Sequence, residues 1–283
     1  MPEGDTIFRS ARTLRAALQG RTVTSFRTEL AHLARVDVDR PLTGRTVDDV
    51  ESRGKHILMY FSGDLILRTH MRMHGTWHLY RPGERWKQPG RDMRIVIATD
   101  AFEAVAFRVP VAEFRTAATL ERDDVIQSLG PDLLDEDADL DEAVTRLRAL
   151  GEVPVGDALL NQRAVAGIGN VFKSEVCFAA RLSPLGMVGA LDEATLRRVL
   201  EIAQQQLRAN VPDARAAAVT MWNGRRRTTG RAHPEQALWV YGRAGQPCRR
   251  CATPIALVKQ GPDARLTYYC STCQVVAVVA AGL

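Results

Sequence analysis

Lysine is nearly missing from this chain. It occurs four times in 283 residues, at Lys55, Lys87, Lys173 and Lys259, although lysine and arginine together number 38. Arginine therefore carries the basic character behind a net charge of +5. That is a mild lean toward polyanionic partners, and the planar guanidinium suits phosphate better than an ammonium does. Also absent is any apolar run of bilayer length, which excludes an ordinary membrane-spanning helix. The N-terminus lacks the basic-then-apolar order of a secretory leader, so an intracellular, cytoplasmic protein is expected. Cysteine is scarce too: Cys177 stands alone, and the other four crowd between residues 248 and 273. Among reduced thiols such a cluster favours a metal over disulfides. What remains, 46% apolar and 25% charged, is the composition of a folded chain and excludes global disorder. No internal repeat is present.

The length suits two domains, or one domain with an appended module. Thr6–Leu18 sets Ile7, Ala11, Leu14 and Leu18 at helical spacing with arginines opposite, and Gly20 ends the helix. From Arg21 to about Arg115 short β runs follow: Thr22–Arg27, His56–Phe61, Leu65–Thr69, Thr76–Tyr80, Met93–Ala98 and Ala104–Val109. Turn residues such as Ser62-Gly63-Asp64 and Pro82-Gly83 separate them, the pattern of an antiparallel sandwich or barrel. Near Ala117 the pattern turns helical, over Thr119–Leu129, Leu140–Leu150, Asp157–Leu160, Gly169–Ala180 and Asp192–Ala209, the last N-capped by Asp192. The acidic run Asp132–Glu142 reads as a solvated connector, Arg208–His233 as a mobile loop and Trp239–Leu283 as a small β-rich tail. The expected fold is α+β. An N-terminal antiparallel β-sandwich or barrel with its leading helix occupies 1–116, a helical domain 117–235, and a four-cysteine finger 236–283.

Cys248-x-x-Cys251, eighteen residues, then Cys270-x-x-Cys273 is the most specific single motif. Each pair offers two thiolates to one tetrahedral ion, and a hairpin between them returns the second pair to the first. Four thiolates close the shell, so one structural Zn2+ is expected, doing no chemistry. Arg265 sits on that hairpin within reach of a phosphate. A second motif runs from Leu159 to Glu175, with Gly167-Ile168-Gly169-Asn170 between two helical pieces. Glycines admit close backbone approach, Asn170 is expected to cap the next helix, and a helix N-terminus receives anions. Lys173, on the first turn, favours an anion site over a plain turn. At the other end stands Met1-Pro2-Glu3. Removal of Met1 leaves a secondary amine on Pro2 with a pKa of about 8, a Schiff-base nucleophile near neutral pH, beside a carboxyl.

Pro2-Glu3-Gly4-Asp5, Ser52-Arg53-Gly54-Lys55-His56, the Gly167–Asn170 turn, and Val240-Tyr241-Gly242-Arg243 leading into the four cysteines occur together and in this order. In that combination the chain resembles the formamidopyrimidine-DNA glycosylase / endonuclease VIII family, nearly end to end. The resemblance implies a helix–two-turn–helix domain, damaged double-stranded DNA as substrate, and action on a nucleotide flipped from the duplex. It implies Pro2 as nucleophile at the sugar, Glu3 as general acid, and Lys55, Asn170 and Arg265 as phosphate contacts, Lys55 also assisting proton transfer. Met73 is similar to the family's intercalating wedge, with Arg72 and His74 beside it. A monomer is expected, cytoplasmic and at the nucleoid when on DNA.

Where the purine-lesion branch has Asp-Pro-Arg-x-Phe-Gly, this chain has Ala106-Phe107-Arg108-Val109-Pro110-Val111. That branch's reading head is missing, and Gly4-Asp5 looks like the endonuclease VIII branch, which handles oxidised pyrimidines. Thr6 stands where many members have glutamate, and the arginines at Arg225, Arg226, Arg227 and Arg231 have no counterpart in the family pattern. The expected activity is a bifunctional glycosylase/AP lyase of base excision repair. The rivals are an AP lyase with little glycosylase activity, a non-catalytic binder of abasic or damaged DNA, and a zinc-ribbon interaction factor.

Overall fold

Ile7, Ala11, Leu14, Ala17 and Leu18 form the buried stripe of α1 (Gly4–Leu18), and Gly20 follows it at φ +76°. This placement is from a computed structural model that describes residues 2–211, 226–231 and 233–275. Eight short strands follow α1. Four of them, β1 (Ser25–Thr28), β5 (Thr76–Tyr80), β6 (Met93–Ala98) and β7 (Glu103–Phe107), form a sheet in the order β1-β6-β7-β5. The others, β2 (Val47–Arg53), β3 (His56–Phe61), β4 (Leu65–His70) and β8 (Val111–Arg115), form a second in the order β2-β3-β4-β8. All pairs are antiparallel. Period-two alternation sends Ile57, Met59, Leu65 and Leu67 from one sheet and Trp77, Ile95, Ile97, Ala104 and Ala106 from the other into one core, shared with α1. The sandwich is therefore as expected.

Three elements escape the sequence pattern. Helix α2 (Ala31–Asp39) buries only Leu33, so its apolar stripe is too thin to register. Strand β2 spells Val-Asp-Asp-Val-Glu-Ser-Arg, an acidic edge strand that buries two valines. Strand β8 is a half-exposed edge just after Pro110. The helix expected over 119–129 breaks into α3 (Ala117–Leu120) and α4 (Asp124–Gln127). The break has a cause: Asp123 turns inward to the guanidinium of Arg115 (3.3 Å) and lies 3.6 Å from that of Arg68, while its other oxygen accepts the Val125 N–H.

The chain divides into two compact units where three domains were expected. Residues 117–127 fall in the unit that holds the sandwich, and the finger residues fall in the unit that holds the helices. The second unit holds α5 (Leu140–Arg148), α6 (Val155–Ala158), α7 (Asn170–Ala180), α8 (Glu193–Ala209) and the hairpin of β9 (Ala256–Gln260) and β10 (Arg265–Tyr269). Asp192 caps α8 by accepting the Thr195 N–H, as expected. Helix α7 packs on α8 and on β10, and ten of its eleven residues are buried. Residues 212–225, 232 and 276–283 lie outside the described residues, and with them Arg225, most of the expected mobile loop and the end of the expected tail. Among the described residues no helix is long and apolar enough to cross a membrane.

One turn in the first unit has no room for a side chain. A Cβ on Gly75 would lie 2.5 Å from the Met71 carbonyl oxygen and 2.9 Å from its Cα, and backbone cannot step aside. Gly75→Ala should therefore lower stability by about 1–3 kcal/mol, as overpacking does. Denaturant titration of the full chain checks this, and an unmoved midpoint contradicts it.

Candidate functional site

Within the first unit the candidate groups sit on rigid supports. Glu3 immediately precedes α1, is fully buried, and its carbonyl accepts the N–H groups of Thr6 and Ile7. Pro2 beside it is half-buried. Thr6 donates to Asp5 at 3.2 Å, and Asp5 pairs with Arg9 at 3.4 Å, so the threonine joins a buried acid–base cluster on the first two turns.

Lys55 occupies a two-residue turn between β2 and β3, with Gly54 at φ +57° as the first residue, a geometry that a glycine admits at little cost. Gly20 and Gln19, at the end of α1, bond to Val47 and Asp48 at the start of β2. Tied there, α1 packs along β2, the strand that leads into the turn carrying Lys55.

The wall beside that turn is kept neutral. His56 and His70 pair across β3 and β4 with ring centroids 4.6 Å apart. Burial, then the positive charges of His70 and Arg68, push His56 down to about 3. Burial, then Arg72 and Lys55, push His70 down to about 4. His70 Nδ1 accepts the Arg72 N–H at 3.0 Å, so its proton sits on Nε2. Both rings are uncharged at neutral pH.

The β4–β5 turn then projects outward. Met71 is 2% exposed and anchors it, Arg72 holds a left-handed φ of +48°, and Met73 is 51% exposed with Arg72 and His74 exposed on either side. Met73 is thus an apolar side chain half in solvent at the tip of an anchored turn.

The second unit is organised by α7. Asn170 begins the helix but does not cap it; Gly169 holds the cap position, and the Asn170 amide donates instead to the Leu266 carbonyl at 2.7 Å. That stitches α7 to β10 one residue from Arg265, whose exposed guanidinium pairs with Asp263 at 3.1 Å. Asn170 Oδ1 is buried and accepts no hydrogen bond among the described residues, an unmet acceptor at this surface.

Lys173 is a correction. Expected at an anion site, it is fully buried, and its ammonium donates to Thr267 Oγ1 at 2.6 Å, near Asp157. At a helix position facing β10 it ties α7 to the hairpin.

Sequence reasoning missed two residues that hold this unit. Gln162 bridges the turn, donating to the carbonyls of Leu160 and Ile168 and accepting the Gly167 N–H. Glu175 is fully buried. Its Oε1 accepts the N–H groups of Val240 (2.9 Å) and Tyr241 (2.8 Å), and its Oε2 accepts that of Trp239 (2.8 Å) and the Thr228 hydroxyl. Burial raises its pKa, and these four bonds, which favour the carboxylate, oppose the rise. Its spacing from Asn170 was the available signal: an acid five residues into an otherwise apolar helix needs buried donors. Cys177, two residues on, is a thiol that burial pushes up to about 12. Arg226 lies over the Phe172 ring at 5.5 Å, while Asn210 bonds both backbone groups of Arg227.

The four cysteines converge. Their sulfurs lie within 4.8 Å of one another, with Cys248–Cys273 at 3.9 Å and Cys251–Cys270 at 3.4 Å. A tetrahedron with Zn–S of about 2.3 Å has edges of about 3.8 Å, so the cage fits zinc. The Arg250 and Cys273 N–H groups point at Cys248 and Cys270 at 3.4 Å, as knuckles that stabilise thiolates. Burial and the neighbouring sulfurs push the Cys273 thiol up to about 12, a proton affinity that a divalent cation relieves by replacing protons. Phe178, stacked on Trp239 at 5.4 Å and covered by Arg250 at 4.2 Å, joins this finger to α7.

Comparison with known proteins covers the whole arrangement. Family models match for the formamidopyrimidine-DNA glycosylase N-terminal domain over residues 1–111, its H2TH domain over 129–220, and a zinc finger found in FPG and IleRS over 245–275. The chain is 42% identical to a probable endonuclease 8 2 of Streptomyces coelicolor, covering 97% of this chain and 94% of that one. It is 39% identical to the DNA-(apurinic or apyrimidinic site) lyase Nei2 of Mycolicibacterium smegmatis, covering 97% and 99%. In fold it is similar to a Lactococcus lactis formamidopyrimidine-DNA glycosylase bound to AP-site DNA, with a TM-score of 0.76, 22% identity, and coverage of 96% and 99%.

Cys248→Ser should release the one structural zinc, read as metal per chain by elemental analysis, and weaken DNA binding; a metal-free variant with normal affinity contradicts the finger's role. Glu175→Gln puts an amide NH2 against backbone donors and should cost about 3 kcal/mol or more in denaturant unfolding, because buried donors lose their acceptor. Retained stability would show that the carboxylate is dispensable.

Proposed function

This chain belongs to the formamidopyrimidine-DNA glycosylase / endonuclease VIII family, and from that premise we propose that it is a bifunctional DNA glycosylase/AP lyase of base excision repair, acting on oxidised pyrimidines through its N-terminal proline amine. The observation that carries the reading is the pair Pro2-Glu3. A fully buried carboxyl and a half-buried secondary amine lie side by side at the start of a helix that packs along β2, the strand leading into the Lys55 turn. Buried carboxyls on a structured start are costly unless used, and acid next to amine is what glycosidic cleavage needs.

With Met1 removed, the Pro2 nitrogen attacks the anomeric carbon of the flipped nucleotide, and Glu3 protonates the sugar ring oxygen as the base leaves. The iminium so formed acidifies the sugar C–H bonds, and β- then δ-elimination release the flanking phosphates. Lys55, on the turn beside the uncharged His56 and His70, contacts the phosphate and assists proton transfer; Asn170 and Arg265 contact neighbouring phosphates. Met73 fills the vacated stack, with Arg72 and His74 at its sides. Zinc, held by Cys248, Cys251, Cys270 and Cys273, maintains the shape of the finger and takes no step. The protein acts as a monomer in the cytoplasm, at the nucleoid when on DNA.

The pyrimidine preference is supported by the short β7–β8 turn, where Arg108 at φ +52° replaces the purine branch's reading head. Relatives named endonuclease 8 at 39–42% identity support it too. The name of the Mycolicibacterium relative favours a second reading, lyase with little glycosylase activity.

Borohydride reduction separates these. The processed chain should be trapped covalently on both dihydrouracil and abasic duplexes; trapping on abasic duplex alone supports the lyase reading, and none on either sinks both. A chain that keeps Met1 should bind the same duplexes yet trap at least about a hundredfold less, since the nucleophile is then an amide. Equal trapping would remove Pro2 from the mechanism.

A further inference from the structure

Away from Pro2 and Lys55 the first unit carries a second concentration of positive charge. Residues 81–94 hold five basic side chains against Glu84 and Asp92, a surplus of three where the whole chain has five. This β5–β6 connection is a fastened strap. Trp86 completes a small core on the outer face of its sheet with Tyr80, Met93, Val105 and Phe107, meeting Phe107 edge-on at 5.6 Å. Its indole N–H donates to Glu103 at 2.9 Å, and the Arg27 guanidinium lies over the ring at 5.8 Å. The Lys87 N–H donates to the Tyr80 hydroxyl at 3.1 Å, and Arg108 donates to Gln88 at 3.3 Å.

Pinned at its middle, the strap turns Arg85, Lys87 and Arg91 to solvent, and none of the three has an ion-pair partner among the described residues. Glu84 is turned back to accept the Arg81 N–H. The basic surface continues to the loop that carries Met73. Arg94 and Arg108 line, together with Arg72 and Met73, a cavity of about 550 Å³, and Arg108 is also the residue that reaches Gln88 on the strap. Like charges fixed on a rigid support repel one another, and a polyanion laid across them releases that repulsion along with its own counterions.

We propose that this strap is an additional DNA contact, holding the phosphate backbone of intact duplex beyond the Met73 loop and lengthening the footprint on that side. The inference rests on the DNA-repair reading above. Its chemistry is sequence-independent: the cations meet phosphates and leave the choice of lesion to the Pro2 site.

The test compares the wild-type full chain with R85A/K87A/R91A on duplexes of about one and about three helical turns, each centred on a non-cleavable abasic analogue. On the long duplex the variant should bind about tenfold or more weaker near 0.1 M salt, and its log–log salt slope should fall by about 2 to 3, near 0.9 per phosphate contact. On the short duplex the two proteins should agree within about twofold, and single-turnover cleavage at saturating protein should be equal. The charge-preserving variant R85K/R91K should keep the wild-type slope. Unchanged affinity and slope on the long duplex overturn the proposal; so does an equal loss on both lengths, which places the effect at the lesion or in folding. Wild-type protein that binds no abasic duplex would sink the DNA reading itself, a result separable from a silent strap on a protein that does bind.

Discussion

The second unit depends on a carboxylate that water never touches. Stripping Glu175 of solvent costs several kcal/mol unless its lone pairs are filled, and they are filled by three consecutive backbone N–H groups and one hydroxyl. Those donors bracket residues 228–241, the approach to the finger. The same helix sends Asn170 and Lys173 to β10, its Ser174 hydroxyl lies 3.5 Å from the Tyr268 N–H, and Phe178 packs into the finger's core. Helix, hairpin and zinc cage are thus one cooperative object. Loss of the metal loosens β10, and a loosened β10 misplaces Arg265 and Asn170. On the function proposed above, a structural ion therefore bears on phosphate contacts without touching them.

The first unit solves a different problem, how to make a chain terminus rigid. Termini fray unless tied. Here α1 lies in the core of a sandwich along one whole apolar stripe, and its far end is tied to the start of β2. Turns then carry what must reach outward: Gly54 for Lys55, and Met71 with Gly75 for Met73. In the second of these turns, local backbone strain at Arg72 is traded for the position of one side chain, which is where strain is expected to concentrate.

Much of this was legible in the residues. Apolar β runs such as His56–Phe61, Thr76–Tyr80 and Met93–Ala98 end where the run ends, because burial on one face or both selects their residues. The cysteine spacing located the cage. Illegible were elements whose burial is slight, α2 and β2, and the break at Asp123, whose cause is an ion pair with residues distant in sequence. Asn170 was assigned a local role as a cap, but its amide serves a strand nearly a hundred residues away. Glu175 was in plain view and unread, since its partners are backbone groups that no side-chain pattern announces.

Rarity pointed to Lys173 and misdirected its interpretation. In a chain that uses arginine almost everywhere, a lysine is a choice, and a phosphate contact is the obvious reason. The buried site gives another. A guanidinium brings five donors in a fixed plane and would leave most of them unmet in a dry interior. An ammonium is compact, can rotate its donors, and needs fewer acceptors; Thr267 supplies one and Asp157 a nearby opposing charge. The Thr267 hydroxyl passes the bond on to Gln260, whose amide closes on the Pro184 carbonyl, so the charge is dispersed through a satisfied chain across both strands of the hairpin. Lysine is the cation that fits where nothing outside can reach. At Lys173, geometry more than charge made the selection.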